Sequence, residues 1–255
     1  MTKKKATQMV YQLIFSPTGG TQAVAAALAG GQMVDLCDRN LDFDAVALTE
    51  QDVAVIAVPS YGGRVPAPAV ERLRRVRGGG ARAVLVCVYG NRAYEDTLVE
   101  LADTAQAAGF RTVAAVAAVA EHSIARRYAA GRPDDDDRAE LRAFWGKIQA
   151  KLDAGDTTAP ILPGCRPYKQ RGVRSMVPQA GSACTGCGRC AAVCPVGAID
   201  TADPRVTDSS RCISCMRCIA QCPAHARTLN PVLLAGLELA LKPLCSTRKD
   251  NELFL

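Results

Sequence analysis

The first 150 residues alternate between two patterns. Short apolar runs, MVYQLIF at 9–15, MVDLC at 33–37, VAVIAV at 53–58, ARAVLVCV at 81–88 and TVAAVAAVA at 112–120, are largely β-branched and almost unbroken by polar residues. They read as five strands buried on both sides. Between them lie TQAVAAALAGG, APAVERLRRVRGGG and AYEDTLVELADTAQAAGF, which carry helical spacing and close on glycine, with Gly109 as the C-cap of the third. A further helix is expected over about 135–152, after Pro133. The acidic run from Asp134 to Asp137 suits its N-terminus, where negative charge meets the positive end of the dipole, so the run reads as structural and not as a metal site. Alternation of this kind predicts an α/β fold, a doubly wound five-stranded parallel sheet with helices on both faces.

Beyond residue 153 the periodicity stops. Residues 154–181 read as a linker rich in Pro, Gly and basic side chains, with Arg166, Lys169, Arg171 and Arg174 uninterrupted by any acid. An internal repeat comes next: Cys184, Cys187, Cys190, Cys194 and Pro195 recur 28 residues later as Cys212, Cys215, Cys218, Cys222 and Pro223. The tail over 231–255, which begins PVLLAGLELALKPLC, is expected to form a helix that returns to pack on one of the domains.

A chain of 255 residues, 49% hydrophobic and 22% charged, is long enough for one full-sized domain and a smaller one. Twelve cysteines in a chain of this length point to reduced, metal-ligating thiolates, since disulfide scaffolds belong to much shorter chains. The three lysines Lys3, Lys4 and Lys5 precede an apolar run that Gln12 interrupts, too short for a secretory leader, and no stretch reaches the length of a membrane span. A cytoplasmic protein with a solvated basic tail is the expectation. The net charge of +6 is uneven: residues 1–150 carry 18 basic and 17 acidic side chains, residues 151–255 carry 13 and 8. The basic half lacks the aromatic interleaving or reader motif of a nucleic-acid binder, and anionic clusters would offset its excess.

Each cysteine unit has the spacing C-x2-C-x2-C-x3-C-P, the bacterial pattern for [4Fe–4S] ligation in which the fourth cysteine binds the cluster of the other unit. Three thiolates in a tight loop reach three corners of a cubane while the fourth, opening onto Pro195 or Pro223, turns to its neighbour. The assignment is Cys184, Cys187, Cys190 and Cys222 for one cluster and Cys212, Cys215, Cys218 and Cys194 for the other. Two zinc sites are the alternative, although zinc ribbons separate their C-x2-C pairs by a long spacer and leave the third cysteine without a role. Cys37 and Cys87 read as small core residues, and Cys165 and Cys245 stand outside both motifs. Over residues 182–230 the chain resembles two-cluster bacterial ferredoxins, and the resemblance implies low-potential one-electron transfer.

The stretch FSPTGGT joins the first strand to the first helix, where open parallel sheets bind ligands. It lacks the lysine of a P-loop and the three glycines of a dinucleotide fingerprint. Hydroxyls at Ser16, Thr18 and Thr21 and the close backbone approach at Gly19 and Gly20 suit a monophosphate at a helix N-terminus. Two more loops, PSYGG after the third strand and VYGNRAYED after the fourth, converge on the same edge when the strand order is 2-1-3-4-5. Over residues 8–150 the chain resembles flavodoxins, and the whole is similar to bacterial fusions of a flavodoxin domain with a two-cluster ferredoxin domain. The resemblance implies an FMN site at Ser16, Pro17, Thr18, Gly19, Gly20, Thr21, Ser60, Tyr61, Gly62, Gly63, Tyr89, Gly90, Asn91, Arg92 and Tyr94, with Tyr61 and Tyr94 stacked on the two ring faces. Where flavodoxins place acids around the ring, these loops carry Arg64, Asn91 and Arg92, which suits a two-electron flavin. His122, after the fifth strand beside Glu121 and Ser123, is the candidate proton donor, and His225 falls to a structural or tuning role.

The function expected from this sequence is an iron–sulfur flavoprotein oxidoreductase moving electrons between two [4Fe–4S] clusters and FMN to reduce a small organic acceptor. Reduced ferredoxin or a similar protein is the expected donor, with the basic linker steering acidic partners. A carrier serving a larger enzyme, or a redox sensor, are the alternatives. No second nucleotide fingerprint supports direct reduction by NADH or NADPH.

Overall fold

The computed structural model describes residues 8–172 and 176–255. Lys3, Lys4, Lys5 and Arg174 therefore lie outside the described residues. The apolar runs form β1 (Val10–Ile14), β2 (Gln32–Asp35), β3 (Val53–Pro59), β4 (Arg82–Tyr89) and β5 (Arg111–Val119), separated by α1 (Gly20–Leu28), α2 (Ala67–Arg75) and α3 (Thr97–Ala107) and succeeded by α4 (Asp135–Asp153). The strands pair in parallel in the order β2-β1-β3-β4-β5. Because successive side chains leave a strand on opposite faces, the sheet feeds two cores. Leu13, Ile56, Leu85 and Ala115 meet Leu73, Leu98 and Leu101 of α2 and α3. Val55, Val86 and Val116 meet Val24, Leu141 and Ile148 of α1 and α4 on the other face. Gln12, the polar residue that breaks the first run, is buried and its amide donates to the Ala29 carbonyl at the end of α1, so its burial leaves no donor stranded.

The acid run at 134–137 does what its position dictates. Asp134 accepts from Asp137 N and Asp137 from Asp134 N, a capping box, and the Asp137 carboxylate also takes the buried Arg132 guanidinium. Gly109, at φ 86, lies just past the C-cap Ala108 of α3.

The linker is not a free tether. Asp96 accepts from Cys165 N and Lys169 N, Arg166 forms a two-toothed pair with Asp103, Lys169 pairs with Glu95, and Arg171 with Glu100. Linker cations expected to steer partners are thus held by the acids of α3 and of the turn before it.

The cysteine repeat folds around a short antiparallel pair, β6 (Gln179–Ala180) with β7 (Arg227–Thr228), and two one-turn helices, α5 (Arg189–Val193) and α6 (Arg217–Ala220). The repeat extends to backbone conformation: Gly186, Gly188 and Gly197 have positive φ, and so do Ser214, Met216 and His225, each 28 residues later. The last segment returns as α7 (Pro231–Cys245) and then pairs β8 (Glu252–Phe254) antiparallel to β5. The sheet accordingly has six strands where five were expected, in the order β2-β1-β3-β4-β5-β8. Glu-Leu-Phe is too short to show the period of a strand, and Asn251 fixes it instead by accepting from Val119 N and donating to Asp137 and Glu140.

Candidate functional site

Parallel strands ending at one edge leave a crevice beyond their C-terminal ends. Here it is a cavity of about 380 Å3. Its floor is the start of α1, with Pro17, Thr18, Gly20 and Thr21; its sides are Ser60, Tyr61 and Gly62 after β3, Tyr89, Gly90 and Arg92 after β4, and Glu121, His122 and Ser123 after β5. Gly19 caps α1 at φ 95, a left-handed conformation that favours glycine, and it offers no side chain to the helix. Ser16 Oγ accepts from Gln22 N at 3.0 Å, leaving the earlier amides of the helix to the cavity side. A phosphate suits this end: several helix amides and two threonine hydroxyls meet the charge, and no carboxylate lies in the loop.

Of the fifteen residues expected around FMN, Ser16, Gly19, Gly63, Asn91 and Tyr94 do not line the cavity. Tyr94 turns away: its ring meets Tyr89 edge-on with centroids 5.1 Å apart, and its hydroxyl donates to Glu252 of β8. Tyr89 lies on the cavity side of that pair. Asn91 is occupied in holding the chain after α7, donating to the Cys245 and Thr247 carbonyls and accepting from Lys249 N. Arg64 also faces elsewhere, with Glu100 at 2.8 Å, whereas Arg92 lines the cavity and pairs with Glu95.

His122 packs so close to Gly90 that a Cβ there would fall 2.6 Å from its ring, which explains the glycine. Its Nδ1 accepts from both Ile124 N and Ala125 N, so the ring proton resides on Nε2. Desolvation, followed by the positive charge of Arg92, holds His122 below its ordinary value. The ring is therefore a neutral hydrogen-bond donor at neutral pH. His225 is exposed in its positive-φ turn, remote from the cavity lining.

The cavity has a second half that the sequence did not reveal. Arg171 and Met176 of the linker, Ile213 and Ser214 of the second cysteine motif, and Leu237 and Leu241 of α7 close it from above. Ile213 and Cys215 are buried in the same core as Phe15, Leu36 and Cys37 of the sheet domain. Two arginines fasten this contact. Arg72 of α2 donates to the Leu36 and Pro195 carbonyls, and Arg217 of α6 to the Ser16 carbonyl and to Asp35. Tyr61 lies within electrostatic reach of Cys215 and Cys37, and burial, then those two thiols, keep its phenol protonated.

The thiols gather across the repeat. Cys184, Cys187, Cys190 and Cys222 line one small void together with Pro204 and Arg227. In the other group Cys218 lies within electrostatic reach of Cys212 and Cys194, and Cys215 within reach of Cys218 and Cys194. Among the described residues no cluster of His, Cys, Asp or Glu is spaced for a single metal ion. Burial pushes the Cys218 thiol up to about 11, so a thiolate there needs the positive charge of bound iron. Backbone N–H groups already aim at the sulfurs: Ala198 N at Cys194 and Ala226 N at Cys222, both 3.3 Å, are related by the repeat. Such bonds favour a charged, cluster-bound sulfur. The two groups differ in exposure. In the first group Cys187 is open to solvent, Cys184 and Cys222 are half-buried and Cys190 is buried; in the second Cys194, Cys212 and Cys215 are buried and Cys218 is half-buried, Cys215 packing in the sheet domain's core and Cys194 and Cys212 packing with Cys190. Cys37 and Cys87 are buried core residues, Cys245 is buried beneath the end of α7, and Cys165 is exposed.

Residues 183–226 match the family described as 4Fe-4S dicluster domain. No curated protein matches the chain. Among solved structures, the rubredoxin oxygen:oxidoreductase of Desulfovibrio gigas aligns with 16% identity and a TM-score of 0.41 over 59% of this chain, which spans 37% of that protein's length. The two-electron reduced flavodoxin of Megasphaera elsdenii aligns with 21% identity and a TM-score of 0.35, covering 53% of this chain and 98% of its own. The NAD(P)H:quinone oxidoreductase of Methanothermobacter marburgensis aligns with 15% identity and a TM-score of 0.33, covering 58% and 98%. Likeness at this level leaves the fold to rest on the chain's own strand order. No helix among the described residues is long and apolar enough to cross a membrane. The strand order and the dicluster match together make the chain a fusion of a flavodoxin-like α/β domain with a C-terminal 4Fe–4S dicluster domain.

Proposed function

We propose that the chain is an iron–sulfur flavoprotein oxidoreductase in which two [4Fe–4S] clusters and one FMN relay electrons to a small organic acceptor. One observation carries the reading: Ile213 and Ser214, bracketed by Cys212 and Cys215, form a wall of the cavity onto which the phosphate-loop end of α1 opens. Cys184, Cys187, Cys190 and Cys222 would hold the outer cluster, and Cys212, Cys215, Cys218 and Cys194 the inner one. Thr18, Gly20 and Thr21 would hold the phosphate and Tyr61 would pack on the ring. FMN, when bound, exchanges electrons singly with clusters and in pairs with organic molecules. The chain's own residues supply the rest. Arg72 and Arg217 fix the inner cysteine loop against the sheet domain; His122 offers a proton on Nε2 for a hydrogen bond to an acceptor oxygen; Arg92, beside it, favours negative charge. Exposure of Cys187 makes the outer site the port for a one-electron donor protein of the ferredoxin type.

A carrier without a small substrate is the second reading, favoured by the roof that Met176, Leu237 and Leu241 place over the cavity. The test uses protein isolated anaerobically, assayed for iron, sulfide and flavin, reduced with dithionite and mixed with quinones, enones and nitro compounds. Rapid reoxidation by one class is expected. Inertness towards all three selects the carrier, and protein holding iron and sulfide but no flavin overturns both readings.

A further inference from the structure

Two observations meet at Ser214. Its hydroxyl oxygen is buried with no hydrogen-bond partner among the described residues, and the residue lines the cavity. Its backbone also sits at φ 52, where a side chain is strained, while the equivalent position of the first motif is Gly186 at φ 72. Glycine serves that turn in the outer motif, where an added Cβ would meet nothing within 4 Å among the described residues. The inner motif carries side chains at positive φ at all three positions equivalent to Gly186, Gly188 and Gly197, namely Ser214, Met216 and His225, and of the three Ser214 lines the cavity. An orphaned buried hydroxyl costs about 1–3 kcal/mol unless something arrives to pair with it. Ile213 beside it and Met176, Leu237 and Leu241, which line the same cavity, carry no side-chain oxygen or nitrogen to offer it.

We propose that Ser214 is a flavin-binding residue contributed by the iron–sulfur domain, its hydroxyl hydrogen-bonding a heteroatom of the isoalloxazine ring. The inference rests on the flavin reading of the cavity and adds that the site is composite: the sheet domain alone does not complete it. Ser214 is covalently next to Cys215, and its own N–H donates to Cys212 Sγ at 3.4 Å, so one residue touches both the flavin and the inner cluster's ligand loop.

The experiment compares wild type, Ser214→Ala and Ser214→Gly, each isolated anaerobically with clusters in place, by FMN titration and by the flavin absorption band. Alanine keeps the serine's backbone geometry without the hydroxyl, and glycine relieves the left-handed strain as Gly186 does. Loss of one hydrogen bond predicts a rise in the FMN Kd of about three- to tenfold in both variants, a shifted flavin band and unchanged iron and sulfide. A wild-type Kd and spectrum in both variants overturns the inference while leaving the flavin reading intact. Loss of iron from both also overturns it, by showing that the hydroxyl serves the cluster loop. Failure of wild type to take up FMN removes the flavin reading itself, and the inference with it.

Discussion

At the scale of single residues, His122 shows how packing decides a titration. Gly90 admits the ring, two backbone amides occupy Nδ1, and burial together with Arg92 disfavours the imidazolium. The folded chain thus binds this proton less readily than the unfolded chain, whose histidine keeps its ordinary value of 6.5. The unfolded state gains protons first on acidification, so stability is lost as the pH falls through 6.5 towards the lower folded value and is unaffected by this group above it. Melting temperatures between pH 5 and 8 should show that acid-side decline. It should be absent in His122→Asn, whose Oδ1 can accept the same two amides; an identical decline in the variant would assign it to other groups. A role as donor of a hydrogen bond, and not as an imidazolium acid, likewise predicts turnover that does not rise below pH 6.5.

Among the elements, the closing strand does more than lengthen the sheet. Asn251, buried, is joined to Val119 N, Asp137 and Glu140, and β8 covers the edge that β5 would otherwise present. Asn251→Ala strands the Val119 N–H and is expected to destabilise by about 1–3 kcal/mol and to promote association through the exposed β5 edge; chemical denaturation and light scattering read both, and unchanged values would show the strand to be ornamental. This element was illegible in the sequence because three residues carry no period and because its anchor is an asparagine reaching a strand more than a hundred residues earlier. The five parallel strands were legible for the opposite reason: burial on both faces writes continuous apolar runs such as Val53 to Val58. The dicluster domain could also be read, since cluster ligation requires fixed local spacing of cysteines. Tyr94 was misplaced because a loop tyrosine near a glycine carries no sign of which way it turns, and here Glu252 of the unforeseen strand captures it. The roof of the cavity was invisible for a related reason. Ile213, Ser214, Leu237 and Leu241 come from segments whose local patterns speak only of cluster ligation and of a helix.

On the proposed reading, the whole molecule places three redox sites in series. Of the outer cysteines Cys187 faces solvent, of the inner ones Cys215 is buried in the sheet domain's core, and Ile213 and Ser214, between Cys212 and Cys215, line the cavity. Such an order needs the domains held in one orientation, which the fastenings of Arg72 to Pro195 and Arg217 to Ser16 supply, since both reach carbonyls on the opposite domain. Arg217 lies two residues after Cys215 and one before Cys218, so the fastening depends on the same loop that the cluster templates. Iron removal should therefore be felt at the flavin. Stripping the clusters anaerobically with an iron chelator removes the template for residues 212–218, loosens Ile213 from the sheet core and opens the cavity wall. Burial of one such side chain is worth about 1.5–3 kcal/mol, so FMN retention should weaken by at least about tenfold. The sheet domain's circular dichroism should persist, because its two cores are built almost wholly from residues 13–152. Ultrafiltration before and after chelation measures the released flavin. Equal retention in both samples would mean that the sheet domain binds FMN unaided and that the two domains share a surface but not a site.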